Sequence, residues 1–169
     1  PVFMILPGIG LMLGIGGGAM MSMNRGANEV NLSKLAFVTS VKLILLLGMV
    51  SMFVLFSLSS ALLNLQGAKL AIVEVAQHYL DIYTLGAVFA VASSAITLLI
   101  RNDQHPTIAM LIMVFGALLN IALNYYFLAV LSIGISGAAI ATVISMVVVC
   151  LLSAGYFLSN KSQLIKFTL

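Results

Sequence analysis

The chain has 169 residues, of which 63% are hydrophobic and only 7% are charged, and its formal net charge at pH 7 is +3. A water-soluble domain carries roughly a quarter charged residues, so this composition excludes an ordinary soluble protein and predicts a lipid bilayer as the main partner of the surface. The basic residues are scattered along the chain and form no basic cluster. This distribution excludes nucleic acid as a partner.

Five long apolar segments are the predicted structural elements. A helix of roughly 20 apolar residues crosses the hydrocarbon core of a bilayer. Segments of this kind cover residues about 3–23, 37–63, 79–100, 107–131 and 134–158. None alternates apolar and polar residues as outer-membrane strands do. The sequence therefore predicts an all-α integral membrane fold, in which residues 1–169 form a single five-helix transmembrane bundle.

The basic residues fall mainly on one side of this predicted bundle. With Lys42 counted in the first connection, that side carries Arg25, Lys34, Lys42, Arg101, Lys161 and Lys166, and the other side carries only Lys69. Cytoplasmic connections are enriched in Lys and Arg. We therefore expect the carboxyl end in the cytoplasm and the amino end outside. Since the chain starts at Pro1 and enters the membrane from outside, we also expect at least one helix upstream.

Small residues recur at every fourth position in the first and fifth spans. They are Gly10, Gly14, Gly18 and Ser22 in the first span, and Gly134, Ala138 and Thr142 in the fifth. Such stripes let a neighbouring helix approach closely, so we interpret them as packing surfaces. A conformational hinge is the alternative for the first span.

The fourth span carries two asparagines on one face. Asn120 and Asn124 are one helical turn apart, and Thr142 of the fifth span can add an oxygen to the same place if the two helices pack antiparallel. An unpaired amide is costly in hydrocarbon. Two explanations remain open: hydrogen bonds that hold the bundle together, or a polar site that binds a cation or a substrate. We favour the second.

The sequence contains no pattern that predicts catalysis or a bound cofactor. It has no Ser/His/Asp set, no His-x-x-x-His pair and no phosphate-binding loop. Cys150 is the single cysteine and can form neither an internal disulfide nor a metal cluster. We therefore expect neither an enzyme nor a metal site.

Three segments in the second half of the chain carry a family resemblance. They are Arg-Asn-Asp-Gln-His-Pro at 101–106, Gly-Ala-Leu-Leu-Asn-Ile-Ala-Leu-Asn at 116–124 and Gly-Ile-Ser-Gly-Ala-Ala-Ile-Ala-Thr-Val-Ile-Ser at 134–145. In order and spacing they resemble the amino-terminal lobe of the multidrug and toxic compound extrusion (MATE) transporters. That lobe has an Arg-x-Asp-Gly-x-Pro loop, a Leu-Asn-x-x-Leu-(Asp/Asn) helix and a Gly-x-x-Gly-Ala-Ala-x-Ala-Thr helix.

The resemblance implies that the five spans are the second to sixth helices of a twelve-helix, two-lobe transporter, whose remainder is a further partner. It implies export of amphipathic or cationic drugs across the plasma membrane by alternating access, with Na+ or H+ as the coupling ion. The family's cation site uses an acid on the first helix and three residues that correspond to Asn120, Asn124 and Thr142. Many members have Asp at position 124, and Asn cannot carry the charge change that proton coupling needs. Gln104 stands where the family loop has Gly.

Two other functions remain open. A lipid-linked oligosaccharide flippase of the same superfamily would carry Arg or Lys in its central cavity, and residues 107–158 contain neither. A non-transporting membrane subunit or channel piece would belong to a different class. A channel should show a pore-lining ring or a filter loop, and the sequence shows no such feature.

Overall fold

The computed structural model describes residues 2–65, 70–159 and 162. The helices of this described part are α1 (Val2–Gly26), α2 (Val30–Leu65), α3 (Leu70–Leu85), α4 (Ala87–Asn102), α5 (Pro106–Tyr125) and α6 (Ile135–Leu158). The last turn of α5 continues into a π-helical segment, Tyr126–Val130. The described residues contain no β-strand, and the all-α fold predicted from the composition is confirmed.

Within the described part, four helical segments are long and apolar enough to cross a membrane without a break. They are Met4–Gly26, Val30–Leu58, Pro106–Val130 and Ile135–Leu158. The third predicted span consists of two helical pieces, Gln77–Leu85 and Ala87–Asn102, which meet at an angle of 53°. With that bent pair counted as one span, the bundle has five spans.

Gly86 lies at the bend between α3 and α4. A Cβ atom at this position would lie 2.5 Å from Val143 Cγ2 of α6, closer than carbon atoms approach one another. Glycine is a common site of helix kinks, and here it also lets α6 approach the backbone. The span predicted over residues 79–100 therefore consists of two helices that meet at Gly86, and this bent pair counts as one of the five spans.

The connections are shorter than the charge pattern suggested. The helix α1 continues to Gly26 and α2 begins at Val30, so only residues 27–29 join them. Three residues in the connections have left-handed backbone angles: φ is 60° at Asn28, 68° at Gln104 and 51° at Ser132. Short connections of this kind hold neighbouring helices antiparallel and limit how far they can separate.

The helix α4 lies at the centre of the bundle and contacts α1, α2, α5 and α6. Most of its buried side chains are small: Ala87, Ala90, Val91, Ala92, Ala95, Thr97, Leu99 and Ile100. In lipid, helices associate through close van der Waals packing, which small side chains allow. Large side chains such as Phe53 and Phe115 are exposed on α2 and α5, where they suit contact with lipid tails.

The glycine stripe of α1 lies against α4. A Cβ atom at Gly14 would lie 2.8 Å from the carbonyl oxygen of Ala95, and Cβ atoms at Gly10 and Gly18 would overlap α4 side chains. The structure therefore places all three glycines in a helix contact, where they let α1 and α4 approach closely.

Gly134 does not take part in the helix contact that its place in the small-residue stripe predicted. No atom lies within 4 Å of the position that its Cβ would occupy, and its φ is 73°. It precedes α6, where an L-residue would be strained, so it forms the turn into α6 rather than a packing surface. The close contact between α5 and α6 is made instead by Gly116, whose Cβ would overlap Val149.

Candidate functional site

Asn120, Asn124 and Thr142 form one hydrogen-bonded chain between α5 and α6, which we call the Asn–Thr cluster. Asn120 Nδ2 donates to Thr142 Oγ1 over 3.3 Å. Asn124 Nδ2 donates to Asn120 Oδ1 over 3.0 Å. Thr142 in turn donates to the carbonyl oxygen of Ala138 over 2.9 Å. The structure thus brings together the three residues that the sequence spacing singled out, and each amide has a partner.

Tyr79 extends the Asn–Thr cluster to a third helix, α3. Its hydroxyl group lies beside the Thr142 side chain. Its ring is stacked on that of Tyr83, with the centroids 6.2 Å apart and the ring planes at 13°. Sequence reasoning did not assign Tyr79 to the site. The available signal was a tyrosine hydroxyl at the start of an apolar span, since such a group needs a hydrogen-bond partner when it is buried.

A cavity of about 350 Å³ lies beside the Asn–Thr cluster, among α1, α4, α5 and α6. Asn120 and Thr142 lie in its wall. Further hydroxyl groups in the wall come from Ser93, Ser94, Thr97 and Ser145. Thr97 donates to the Ser93 carbonyl over 3.0 Å, and Ser145 donates to the Ala141 carbonyl over 2.7 Å. Because each donates within its own helix, its oxygen keeps the capacity to accept a bond from a ligand.

The wall of this cavity carries no charge in the part of the chain that the structure describes. Its lining residues include no Asp, Glu, Lys, Arg or His. The apolar part of the wall includes Pro7, Met113, Met146 and Val149. The cavity therefore offers neutral oxygen atoms next to flexible apolar side chains.

A buried ion pair lies at the other end of the bundle. Arg25 Nη2 is 2.7 Å from Asp103 Oδ1, and the side chain of Asp103 is 0% exposed. The Tyr156 hydroxyl donates to Asp103 Oδ2 over 2.8 Å, and the Ser162 hydroxyl donates to the same atom over 2.9 Å. We call Arg25, Asp103, Tyr156 and Ser162 the Asp103 cluster. His105 Nδ1 lies 2.9 Å from the Tyr156 hydroxyl, at the edge of this cluster.

The Asp103 cluster was not predicted from the sequence, which placed Arg25 in the first connection and Asp103 and His105 in the third. A fully buried carboxylate is stable only when it is paired and hydrogen-bonded. Its partners come from α1, from α6 and from the segment after α6. Arg25 Nη1 is buried and makes no hydrogen bond in the described structure. The ion pair with Asp103 is therefore made by Nη2 and not by both terminal nitrogens.

Comparison with known proteins identifies the family. The MatE family model matches residues 1–126. The chain belongs to the MatE family. Over all 169 residues this MatE chain is 30% identical to the multidrug export protein MepA of Staphylococcus saprophyticus, and it covers 37% of the length of that protein.

Two solved MATE structures share the fold of this MatE chain. An inward-facing multidrug resistance MATE family transporter of the MOP superfamily has a TM-score of 0.90 and 34% identity over 95% of this chain and 36% of its own length. A MATE transporter in the bent conformation has a TM-score of 0.92 and 31% identity over 97% of this chain and 37% of its own. The chain thus spans little more than a third of these relatives, which agrees with a piece of one lobe, and the MATE resemblance is confirmed.

Proposed function

We propose that this chain is part of an ion-coupled antiporter that exports amphipathic or cationic drugs across the plasma membrane by alternating access. In this proposal the Asn–Thr cluster and the adjoining cavity hold the coupling ion and part of the substrate. The observation that carries it is the hydrogen-bonded chain from Asn124 through Asn120 to Thr142, at the wall of a cavity of about 350 Å³. Polar residues that face a cavity inside the membrane are typical of ion and substrate pathways.

The described side chains of the cavity suit Na+ as the coupling ion. The described wall offers amide and hydroxyl oxygens and no titratable side chain, and neutral oxygens are the usual ligands of Na+ in transporters. Asn120 now turns its Nδ2 atom toward Thr142 and its Oδ1 atom toward Asn124. A half-turn of this amide would bring Oδ1 beside Thr142 Oγ1. Binding of the ion would then replace a hydrogen bond between α5 and α6, and so change how the two helices contact each other.

The apolar part of the cavity suits an amphipathic substrate. Met113 and Met146 carry flexible, polarizable side chains that adapt to ligands of different shape. A volume of about 350 Å³ is at the lower end of the range for ligand pockets, so a drug-sized molecule would extend toward the remainder of the transporter. The name of the relative MepA, a multidrug export protein, supports this substrate class.

The orientation proposed from the basic residues places the Asp103 cluster at the cytoplasmic side. Cysteine labelling of the full-length protein in intact cells tests this, with Cys150 replaced by Ser. Gln104 and His78 are both exposed and lie at opposite ends of the bundle. We expect a membrane-impermeant maleimide to label His78→Cys from outside, and to label Gln104→Cys and Lys161→Cys only after the membrane is opened. Labelling of position 104 or 161 in intact cells would reverse the orientation.

Dye efflux from liposomes that contain the full-length protein tests the function. Wild-type protein should export a cationic dye when a Na+ gradient is imposed. The variants Asn120→Ala and Thr142→Val should remain folded and should need about tenfold more Na+ for half-maximal efflux, since each removes one oxygen ligand. The exposed residues Asn31 and Thr107 provide matched controls, as Asn31→Ala and Thr107→Val. If both site variants keep the wild-type Na+ requirement, the cluster serves helix packing alone.

A further inference from the structure

Ser162 is buried although it lies beyond the end of α6. The helix ends at Leu158, and Ser162 is 0% exposed. Its hydroxyl donates to Asp103 Oδ2 over 2.9 Å, and its backbone N–H donates to the Ser159 carbonyl over 3.2 Å. Asp103 therefore holds Ser162 against the connection between α4 and α5.

The two carboxylate oxygens of Asp103 have different partners. Oδ1 accepts a hydrogen bond from Arg25 of α1, whose positive charge compensates that of the carboxylate. Oδ2 accepts from Tyr156 of α6 and from Ser162 beyond it. Hydrogen bonds to a buried carboxylate are short and about twice as strong as bonds between neutral groups. Because the ion pair occupies the other oxygen, the bonds to Oδ2 can be removed without leaving the charge unpaired.

The helix α6 connects the Asp103 cluster to the Asn–Thr cluster. It is continuous over Ile135–Leu158 and carries Thr142 near one end and Tyr156 near the other. At about 1.5 Å per residue, these two positions are roughly 21 Å apart along the helix axis. Val149 lies between them in the wall of the cavity. A displacement of the start of α6 at the Asn–Thr cluster therefore displaces Tyr156 as well.

We propose that the Asp103 cluster is a clamp that makes α6 and Ser162 beyond its end move as one body. A slack connection would absorb a displacement of α6, because a flexible chain can change its end-to-end distance at little cost in free energy. A clamped connection would deliver that displacement to the rest of the transporter. The clamp itself follows from the contacts, whereas its role in transport rests on the proposed function.

Tryptic cleavage after Lys161 in the folded full-length protein tests the clamp. The bond cleaved joins Lys161 to Ser162, so trypsin must first release Ser162 from Asp103. The cleavage rate then follows the fraction of molecules in which Ser162 is released from Asp103. We expect Tyr156→Phe and Ser162→Ala to be cleaved about tenfold faster than wild type. Ser153→Ala is the matched control, since Ser153 lies on α6 and its buried hydroxyl has no hydrogen-bond partner in the described structure. It should be cleaved at the wild-type rate.

Tyr156→Phe is the decisive variant because it leaves the cleaved bond unchanged. Equal cleavage of Tyr156→Phe, Ser162→Ala and wild type would overturn the clamp. In the efflux assay, Tyr156→Phe should lower the rate roughly fivefold while the Na+ requirement stays at the wild-type value. Faster cleavage with an unchanged efflux rate would overturn the role in transport. If the wild-type protein exports no dye, the proposed function fails, and the cleavage rates still decide whether the clamp exists.

Discussion

Arg25 Nη2 and Asp103 Oδ1 lie 2.7 Å apart, although 78 positions separate the two residues in the chain. The pair joins the end of α1 to the end of α4, and the Asp103 side chain is fully buried. Removing one partner of a buried ion pair leaves an uncompensated charge, which costs more than the pair itself contributes. The effect of each substitution at these positions therefore depends on what happens to the charge of Asp103.

We expect Arg25→Met to lower the free energy of unfolding of the full-length protein by about 3–5 kcal/mol, because it leaves the Asp103 carboxylate unpaired. Arg25→Lys should lower the free energy of unfolding by less, since Lys keeps the positive charge. A single nitrogen of the Arg25 guanidinium bonds Asp103, and one ammonium group can replace that bond. Thermal unfolding in detergent measures both. Adding Asp103→Asn to Arg25→Met should recover part of the loss. If Arg25→Met unfolds at the wild-type temperature, the ion pair does not contribute to the stability of the protein.

The contact between α1 and α4 predicts opposite outcomes for two glycines on α1. Gly14→Ala should destabilise the bundle by roughly 1–3 kcal/mol, because its Cβ would lie 2.8 Å from the Ala95 carbonyl oxygen. Gly16→Ala should be neutral or stabilising by up to about 1 kcal/mol, since no atom lies within 4 Å of that Cβ position and Ala favours helix. Thermal unfolding temperatures that fall equally for the two variants would exclude this packing explanation.

Asn124→Asp should make efflux depend on pH. The substitution installs a titratable carboxyl group beside Asn120, where the amide of Asn124 now donates over 3.0 Å. The site would then gain a charge that a proton can remove, so transport should respond to a proton gradient as well as to Na+. Efflux measured across a pH series, with Asn31→Asp on the exposed side of α2 as the control, gives the answer. The same pH profile in both variants and in wild type would argue against an ion site at Asn124.

The membrane-spanning helices and the position of the two asparagines could be predicted from the sequence. Apolar runs of bilayer length that do not alternate with polar residues are expected to be helices, because a helix satisfies all its backbone hydrogen bonds within its own segment. The spacing of Asn120 and Asn124 places both amides on one face, and the short turn before Gly134 places Thr142 opposite them. Both predictions rest on local geometry, which the chain order determines.

The features that the sequence did not reveal depend on contacts between distant segments. The partner of Asp103 lies on another helix, and the charge pattern alone placed Arg25 in the first connection. Tyr79 lies on α3, which meets α4 at an angle of 53°, and its hydroxyl group lies beside Thr142 of α6. The sequence likewise gives no sign that Val143 of α6 packs against Gly86, where a Cβ atom would lie 2.5 Å from Val143 Cγ2. Such contacts appear only once the helices are assembled.

Binding of radioactive sodium to the purified full-length protein tests most directly whether Asn120, Asn124 and Thr142 hold the coupling ion. We predict saturable binding to wild type, about tenfold weaker binding to Asn120→Ala and to Thr142→Val, and wild-type binding to the exposed control Asn31→Ala. All four proteins should show the same unfolding behaviour without sodium, within about 1 kcal/mol. Equal sodium affinity in folded wild-type, Asn120→Ala and Thr142→Val proteins would contradict the assignment of the ion site to the Asn–Thr cluster.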